Sequence, residues 1–225
     1  NNNMSGRSVR QIVKVSIGGK QLRLELSNEL SREPLVIRSV YIAHATDSCA
    51  IEPSSAKYLK FNGNYNTVIP AGKSRFSDAL TFDLQPLERL AITINYDKAP
   101  RVPTVHMGSR TTSYILRGVS TPKTSFDKAF REDHWFNISA IDVFDLTAKS
   151  IAIIGNSITD GKNSTNNAQN RWPDILSGSM EKRPGITDVG VLHLGVGNAL
   201  VTLTGGFSCV ARIRYTHATL TTRGV

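Results

Sequence analysis

The first part of the chain alternates apolar and polar residues in short runs that are separated by turn residues. Apolar positions alternate with polar ones through Val13–Ile17 and again through Leu22–Leu26. The pair Gly18–Gly19 lies between these runs and favours a tight turn. The pattern therefore predicts a β-hairpin.

Further strand-like runs follow at a similar spacing, with no convincing helix between them. They are Leu35–Ala43, Tyr58–Phe61, Thr67–Ile69, Leu80–Leu84, Leu90–Tyr96 and, after a polar stretch, Trp135–Phe144. Short strands separated by turns in this way predict an all-β antiparallel sandwich, jelly-roll-like, over residues 1–147.

The pattern changes beyond residue 147. Ser150–Ile154 and Val189–Leu194 are continuous apolar runs, which are typical of parallel strands buried on both faces. Helices are predicted over Trp172–Met180 and around Val210–Thr221. This order of strand, helix, strand and helix predicts the first part of an α/β domain over residues 148–225. The chain stops where the next strand is expected.

Composition and charge limit the expected partners. Of the 225 residues, 40% are hydrophobic and 20% are charged, as in globular proteins. No apolar stretch approaches the roughly 20 residues that span a bilayer, so no membrane span is expected. The net charge of +9 is spread over both halves without a basic, aromatic-rich run, so nucleic acid is not expected as a partner. Residues 1–6 are polar, so no signal peptide is expected to remain. Cys49 and Cys209 lack metal-ligand spacing, so we expect two buried thiols and no metal site.

The segment Gly155–Gly161 carries the strongest chemical signal. Ser157 comes two residues after a predicted buried strand, at the position where α/β folds bind ligands. The flanking glycines let backbone N–H groups approach a substrate closely. A serine hydroxyl at such a turn attacks an acyl carbon when a base accepts its proton. For an isolated serine, a capping or turn role would be the alternative.

Three other loop motifs fit the sequence less well. A P-loop needs four residues between its glycines, but five lie inside Gly155–Gly161. Thr159 stands where the nucleophile elbow of α/β-hydrolases has its second glycine. A dinucleotide fingerprint beginning at Gly195–Gly197 would need a glycine at Leu200.

Three segments in the second half resemble the conserved blocks of the SGNH (GDSL) hydrolases. Ile153–Gly161 resembles the nucleophile block, with Asn156 where the family usually has aspartate. Asn170–Asp174 resembles the start of the helix that follows it. Val191–Asn198 resembles the second block, with His193 where the family commonly has asparagine. The first half is similar to a sandwich domain that precedes the catalytic domain in a bacterial, often secreted subgroup. The segments that carry this likeness are Ser16–Gly19, Leu26–Asn28 and Gly108–Tyr114.

This resemblance implies that Ser157 is the nucleophile and that the backbone amides of Ser157 and Gly197 bind the oxyanion. Asn156, Asp160 and His193 are further candidate site residues. The family's third block, Gly-x-Asn-Asp, and its late Asp-x-x-His do not occur in this chain. The resemblance therefore predicts a truncated SGNH hydrolase domain, flavodoxin-like, with impaired activity. Among the other histidines, His106 is predicted to lie in the sandwich, where it could lean over the cleft.

The leading hypothesis is thus a GDSL-type esterase or lipase that works through an acyl-enzyme on Ser157. The resemblance implies a secreted or periplasmic protein without metal or organic cofactor, whose partner is a small ester or an acylated carbohydrate. The alternative is a non-catalytic, carbohydrate-binding sandwich attached to a remnant hydrolase half. Tyr41, Tyr58 and Tyr96 are its candidate sugar-contacting residues. The sequence does not fix the oligomeric state.

Overall fold

A computed structural model describes residues 3–199 of the chain. The described residues are mostly β, with 46% in strands and 8% in helices, and their antiparallel sheets include a curled half-barrel. The main sheet contains eight strands, and its central path runs in the order β12-β11-β1-β9-β3-β4, with β5 and β6 also paired to β3. Their bounds are β1 Arg7–Lys14, β3 Leu35–Asp47, β4 Ala50–Ile51, β5 Lys57–Tyr58, β6 Thr67–Ile69, β9 Arg89–Lys98, β11 Ser113–Arg117 and β12 Phe130–Glu132. A single 3-10 turn, Pro53–Ser55, lies between β4 and β5.

A second antiparallel sheet is built on β2. It has the order β14-β2-β7, and β8 also pairs with β2. Its strands are β2 Gly19–Ser27, β7 Ser74–Phe76, β8 Leu80–Leu84 and β14 Ile138–Val143. β10 Val105–Met107 and β13 His134–Phe136 form a separate two-stranded antiparallel sheet.

The largest core cluster joins apolar residues of the main and second sheets. Leu22, Leu24 and Leu26 alternate along β2 and are at most 2% exposed, so one face of this strand is fully buried. They share this cluster with Ile37 of β3 and Ile92 of β9. Burying one such side chain contributes about 1.5–3 kcal/mol, so the alternation that predicts the strands also supplies much of their stability.

The predicted hairpin around Gly18–Gly19 is wrong. β1 and β2 do not pair with each other, because β1 pairs with β9 and β11 while β2 pairs with β7, β8 and β14. A Cβ on Gly18 would lie 2.3 Å from the Leu84 carbonyl oxygen, so the glycine allows a close backbone approach as the chain changes sheets. Two alternating runs around a glycine pair do not reveal whether the strands share a sheet.

The fold class predicted for the whole chain is also wrong. An all-β sandwich followed by an incomplete α/β hydrolase domain was expected, but no α/β domain is evident within residues 3–199. This region has one parallel pair, β15 Lys149–Gly155 with β16 Val189–Gly195, and two helices, α1 Ser157–Asp160 and α2 Trp172–Met180.

The apolar run of β15 explains this error. A continuous run predicts a strand that is covered on both faces, but Ile151 is 42% exposed and only Ile153 of this strand is buried. The helix predicted around Val210–Thr221, together with Cys209, lies outside the described residues. Cys49 is a buried free thiol, and the domain boundary near residue 147 stays a prediction. Within the described region, neither helix is long and apolar enough to cross a membrane.

Candidate active site

The candidate nucleophile lies on a short helix that begins where β15 ends. Asn156 is the N-cap of α1 in an extended conformation, and its side-chain oxygen accepts a hydrogen bond from the Ile158 N–H at 3.1 Å. Ser157 is the first helical residue. Gly161 ends the helix in the left-handed region at φ 103°, which favours glycine at this position. An asparagine cap and a terminal glycine thus fold a four-residue helix immediately after a strand.

Two further glycines let α1 lie directly against the ends of the parallel strands. A Cβ on Gly155 would lie 2.1 Å from the Thr159 hydroxyl. A Cβ on Gly195 would lie 2.5 Å from the Asp160 backbone nitrogen. Real Cβ atoms do not approach backbone this closely, so the contact between α1 and β16 requires glycine at position 195.

Asp160 is the most heavily bonded side chain of this helix. Its carboxylate is 9% exposed, and its Oδ1 lies 2.7 Å from His106 Nε2. Its Oδ2 accepts a hydrogen bond from the Gly197 N–H at 3.0 Å. His106 comes from β10, so one carboxylate joins the antiparallel part of the molecule to the turn that follows β16.

His193 of β16 also contacts α1, but through the helix backbone. Its Nε2 lies 2.6 Å from the Thr159 carbonyl oxygen, so this nitrogen carries the proton and donates it. Burial lowers the pKa of His193 below its usual value of 6.5, against the opposing effect of that hydrogen bond. His193 lines a cleft of about 60 Å³ beneath α2, which has room for water rather than for a substrate. The contact positions α1 on β16.

The structure therefore brings all the candidate site residues to one place around α1. Ser157 is half-buried, and within residues 3–199 its hydroxyl makes no hydrogen bond. Asp160 lies one helical turn further on, at the i+3 spacing that makes side chains neighbours. The Gly197 amide, a predicted oxyanion donor, is bonded to Asp160 instead of facing open space.

Sequence reasoning gave no role to Arg171, which helps to hold this site in place. Arg171 is 5% exposed, and its guanidinium donates to the Ser109 carbonyl oxygen and, at 3.1 Å, to Asp174. It also lies over the Trp135 ring at 5.1 Å. The one available signal was its place inside the family-like segment Asn170–Asp174.

The tyrosines named for sugar binding do not form an exposed platform. Tyr41 and Tyr96 are 0% and 1% exposed, and Tyr58 is half-buried against Tyr41. Tyr41 and Tyr96 therefore offer no open ring face for stacking on a sugar, and the ring of Tyr58 is already packed against Tyr41 and Tyr65.

Comparison with known proteins adds no family to this geometry. No protein-family model matches the chain, and no curated protein matches it significantly. The part of the chain that the structure describes contains no cluster of three or more His, Cys, Asp or Glu residues that could hold a metal ion.

Proposed function

We propose that the chain acts as a serine-dependent ester hydrolase on acyl or acetyl groups of a small ester or a carbohydrate. One observation carries the proposal. Ser157 opens a helix directly after β15, and Asp160 in the same helical turn pairs with His106 of the neighbouring strand β10. A nucleophile, a proton acceptor and a carboxylate that orients the acceptor are the three parts of a hydrolytic triad.

In this proposal His106 takes the part of the base that the family-like sequence lacks. Asp160 holds His106 through Nε2, and within residues 3–199 Nδ1 makes no hydrogen bond. Nδ1 accepts the Ser157 proton while the serine oxygen attacks the acyl carbon. His106 then gives this proton to the departing alcohol, leaving an acyl-enzyme. A water molecule, deprotonated by His106, attacks the acyl carbon, releases the acid and restores Ser157.

The oxyanion donors limit the expected rate. Ser157 is the first helical residue, so its N–H has no intrahelical acceptor and is available to the developing oxyanion. The Gly197 N–H joins it only when Asp160 releases that contact. Losing one oxyanion donor costs about 10²–10³ in rate. We therefore expect slow turnover, because Asp160 occupies the Gly197 N–H that would bind the oxyanion.

Hydrolysis of p-nitrophenyl acetate by four matched variants tests the proposal. Ser157→Ala is expected to reduce the rate to that of buffer because it removes the nucleophile. His106→Gln is expected to lower the rate by about 10²–10⁴, the usual contribution of a general base. Ser179→Ala, on the exposed side of α2, and His134→Gln, on the neighbouring strand β13, are the controls and are expected to retain wild-type turnover.

The nucleophile assignment is refuted if Ser157→Ala and the wild type hydrolyse the ester at the same rate. Trapping separates the two roles further. A fluorophosphonate probe, which labels activated serines, is expected to add to Ser157 in the wild type. Labelling that is equally fast in His106→Gln would assign the activation of Ser157 to another group.

A further inference from the structure

A cleft of about 530 Å³ lies on the antiparallel part of the molecule and contains none of the residues around α1. It opens between β6, at one edge of the main sheet, and β7, at one edge of the second sheet. Its volume is in the range of small-molecule sites, about 300–1,000 Å³. The polar side chains that matter here are Arg38, Asn62, Asn64, Asn66, Thr67 and Arg75.

Strand register aims two of these side chains into the gap between the sheets. Thr67 lies opposite Ile37 in the antiparallel pair of β6 and β3. Arg75 lies opposite Leu26 in the pair of β7 and β2. Directly opposed residues share a face, and Ile37 and Leu26 are both fully buried core residues. Thr67 and Arg75 therefore point inward from two facing edges.

Both inward side chains lack a partner within the described residues. Thr67 is 7% exposed, and its hydroxyl oxygen is a buried polar atom without a hydrogen bond. Arg75 is an intermediately exposed residue, and its guanidinium forms no ion pair or hydrogen bond with any residue of 3–199. Leaving a buried hydroxyl unsatisfied costs about 1–3 kcal/mol, so a hydrogen-bonding group in the cleft would be stabilised at Thr67, and Arg75 offers further donors beside it.

The charge of the cleft is not balanced. Arg38 pairs with Asp97 at 2.7 Å, so the positive charge of Arg38 is balanced. Arg75 is the second arginine of the lining, and no second acidic side chain accompanies it. The lining thus carries one excess positive charge, which can bind one carboxylate of an acidic ligand. A planar guanidinium binds a carboxylate through two parallel hydrogen bonds.

A fixed turn presents the asparagines. The Asp78 carboxylate accepts the N–H groups of Asn62 and Gly63 at 2.9 and 2.8 Å. Phe61 and Asn64 form an isolated antiparallel bridge that closes the turn. Side-chain amides offer both donors and acceptors, the combination that sugar hydroxyls require. The turn therefore fixes the backbone that carries Asn62 and Asn64 before a ligand arrives.

We propose that this cleft binds an acidic carbohydrate, with the uronate carboxylate on Arg75 and the ring hydroxyls on Thr67 and the asparagines. The cleft is far larger than a single inorganic anion, and its many neutral polar groups would have no use in binding one. The proposal does not depend on the ester hydrolase, because the cleft and the Ser157 site share no residue.

Calorimetric titration of the full chain tests this site. The probes are digalacturonate, the neutral α-1,4-galactobiose with the same linkage, and inorganic phosphate. Digalacturonate is expected to bind at least about tenfold more tightly than galactobiose, because one charged hydrogen-bonded contact is worth this factor. Phosphate is expected to bind weakly and not to displace the disaccharide. Ser157→Ala is expected to bind digalacturonate as the wild type does.

Three variants locate the site. Arg75→Met is expected to weaken digalacturonate binding at least about tenfold and to abolish the preference over galactobiose. Lys73→Met removes the same charge from an exposed residue outside the cleft and is expected to leave the affinity unchanged. Thr67→Val is expected to weaken binding of both sugars while raising the melting temperature, because a methyl group replaces a buried hydroxyl without a partner.

Several results would overturn the proposal. Equal affinity for the acidic and neutral sugars would remove the role of Arg75, and competition by phosphate at equal affinity would make the cleft a simple anion site. Unchanged binding in Arg75→Met would place any sugar elsewhere. Absence of binding by all three probes would exclude the site. A melting temperature lowered by Thr67→Val would show that the hydroxyl serves the fold instead of a ligand.

Discussion

At the scale of single residues, the Asp160 side chain makes more of the contacts at the candidate site than the Ser157 side chain does. Its two carboxylate oxygens hold His106 of β10 and the Gly197 amide after β16. The same side chain thus orients the proposed base and occupies a proposed oxyanion donor. The sequence marked Asp160 as a candidate through the family-like block, but the pairing with His106 joins residues 54 positions apart and no local pattern encodes it.

His193 gives this region a pH-dependent stability. Its pKa is lowered in the folded protein by burial, so the folded state resists protonation while the unfolded chain takes up a proton near pH 6.5. Stability therefore falls as the pH drops below about 6.5, with a slope of up to about 1.4 kcal/mol per pH unit from this group. Above this pH both states are neutral and the effect vanishes.

The variant His193→Gln tests this effect, because glutamine keeps a donor for the Thr159 carbonyl oxygen but does not titrate. Urea unfolding between pH 5 and 8 is expected to show a smaller loss of stability on the acid side in the variant than in the wild type. Parallel curves for the two proteins over the whole range would contradict the assignment of a lowered pKa to His193.

At the scale of elements, the sequence predicts several strands and the helix α2, but it misses short elements such as β11 and α1 and does not predict which strands pair. Thr67–Ile69, Leu80–Leu84 and Trp172–Met180 have the predicted bounds. Alternation and helix-start signals act over neighbouring residues, so they can be read locally. The false hairpin at Gly18–Gly19 and the exposed face of β15 depend on which distant strand packs against them, and this information is not local.

The close packing of α1 against β16 depends on the glycine at position 195, which has no side chain. Gly195→Ala is expected to push Asp160 and Thr159 away from β16, because the new methyl group would meet backbone rather than a flexible side chain. We expect a loss of stability of about 1–3 kcal/mol, as for other overpacked sites, and a loss of ester hydrolysis. Thermal unfolding and p-nitrophenyl acetate turnover measure the two effects.

Gly185→Ala serves as the control for this substitution in part. A Cβ there meets nothing within 4 Å, although its φ of 88° favours glycine. This variant is expected to lose some stability through backbone strain while keeping its turnover. Equal activity in Gly195→Ala and the wild type would show that the close contact between α1 and β16 has no part in the site.

At the scale of the whole molecule, many hydrogen bonds fasten the residues after β14 to the earlier antiparallel part of the chain, including three from elements around the candidate site. His106 bonds Asp160, the Ser16 hydroxyl accepts the Val191 N–H at 3.0 Å, and Arg171 bonds Ser109. These contacts are polar, while the largest apolar cluster lies within the earlier sheets. Polar contacts between distant segments leave no periodic pattern in the sequence. The sequence therefore predicted a separate unit after residue 147, but not how this segment packs against the antiparallel sheets.

Arg171→Met is expected to loosen this docking without unfolding the sheets. Arg171 is buried, and its removal takes hydrogen bonds from Ser109 and Thr111 and leaves Asp174 without its cationic partner. Breaking one partner of a buried ion pair costs about 3–5 kcal/mol, and the partial exposure of Asp174 favours the lower end. Hydrogen exchange is expected to accelerate in β15 and β16 while β1 and β9 keep wild-type protection.

Lys182→Met removes a charge from an exposed residue beyond α2 and is expected to leave both regions unchanged. Uniform acceleration across β1, β9, β15 and β16 in Arg171→Met would instead show that the parallel pair and the antiparallel sheets unfold as one cooperative unit.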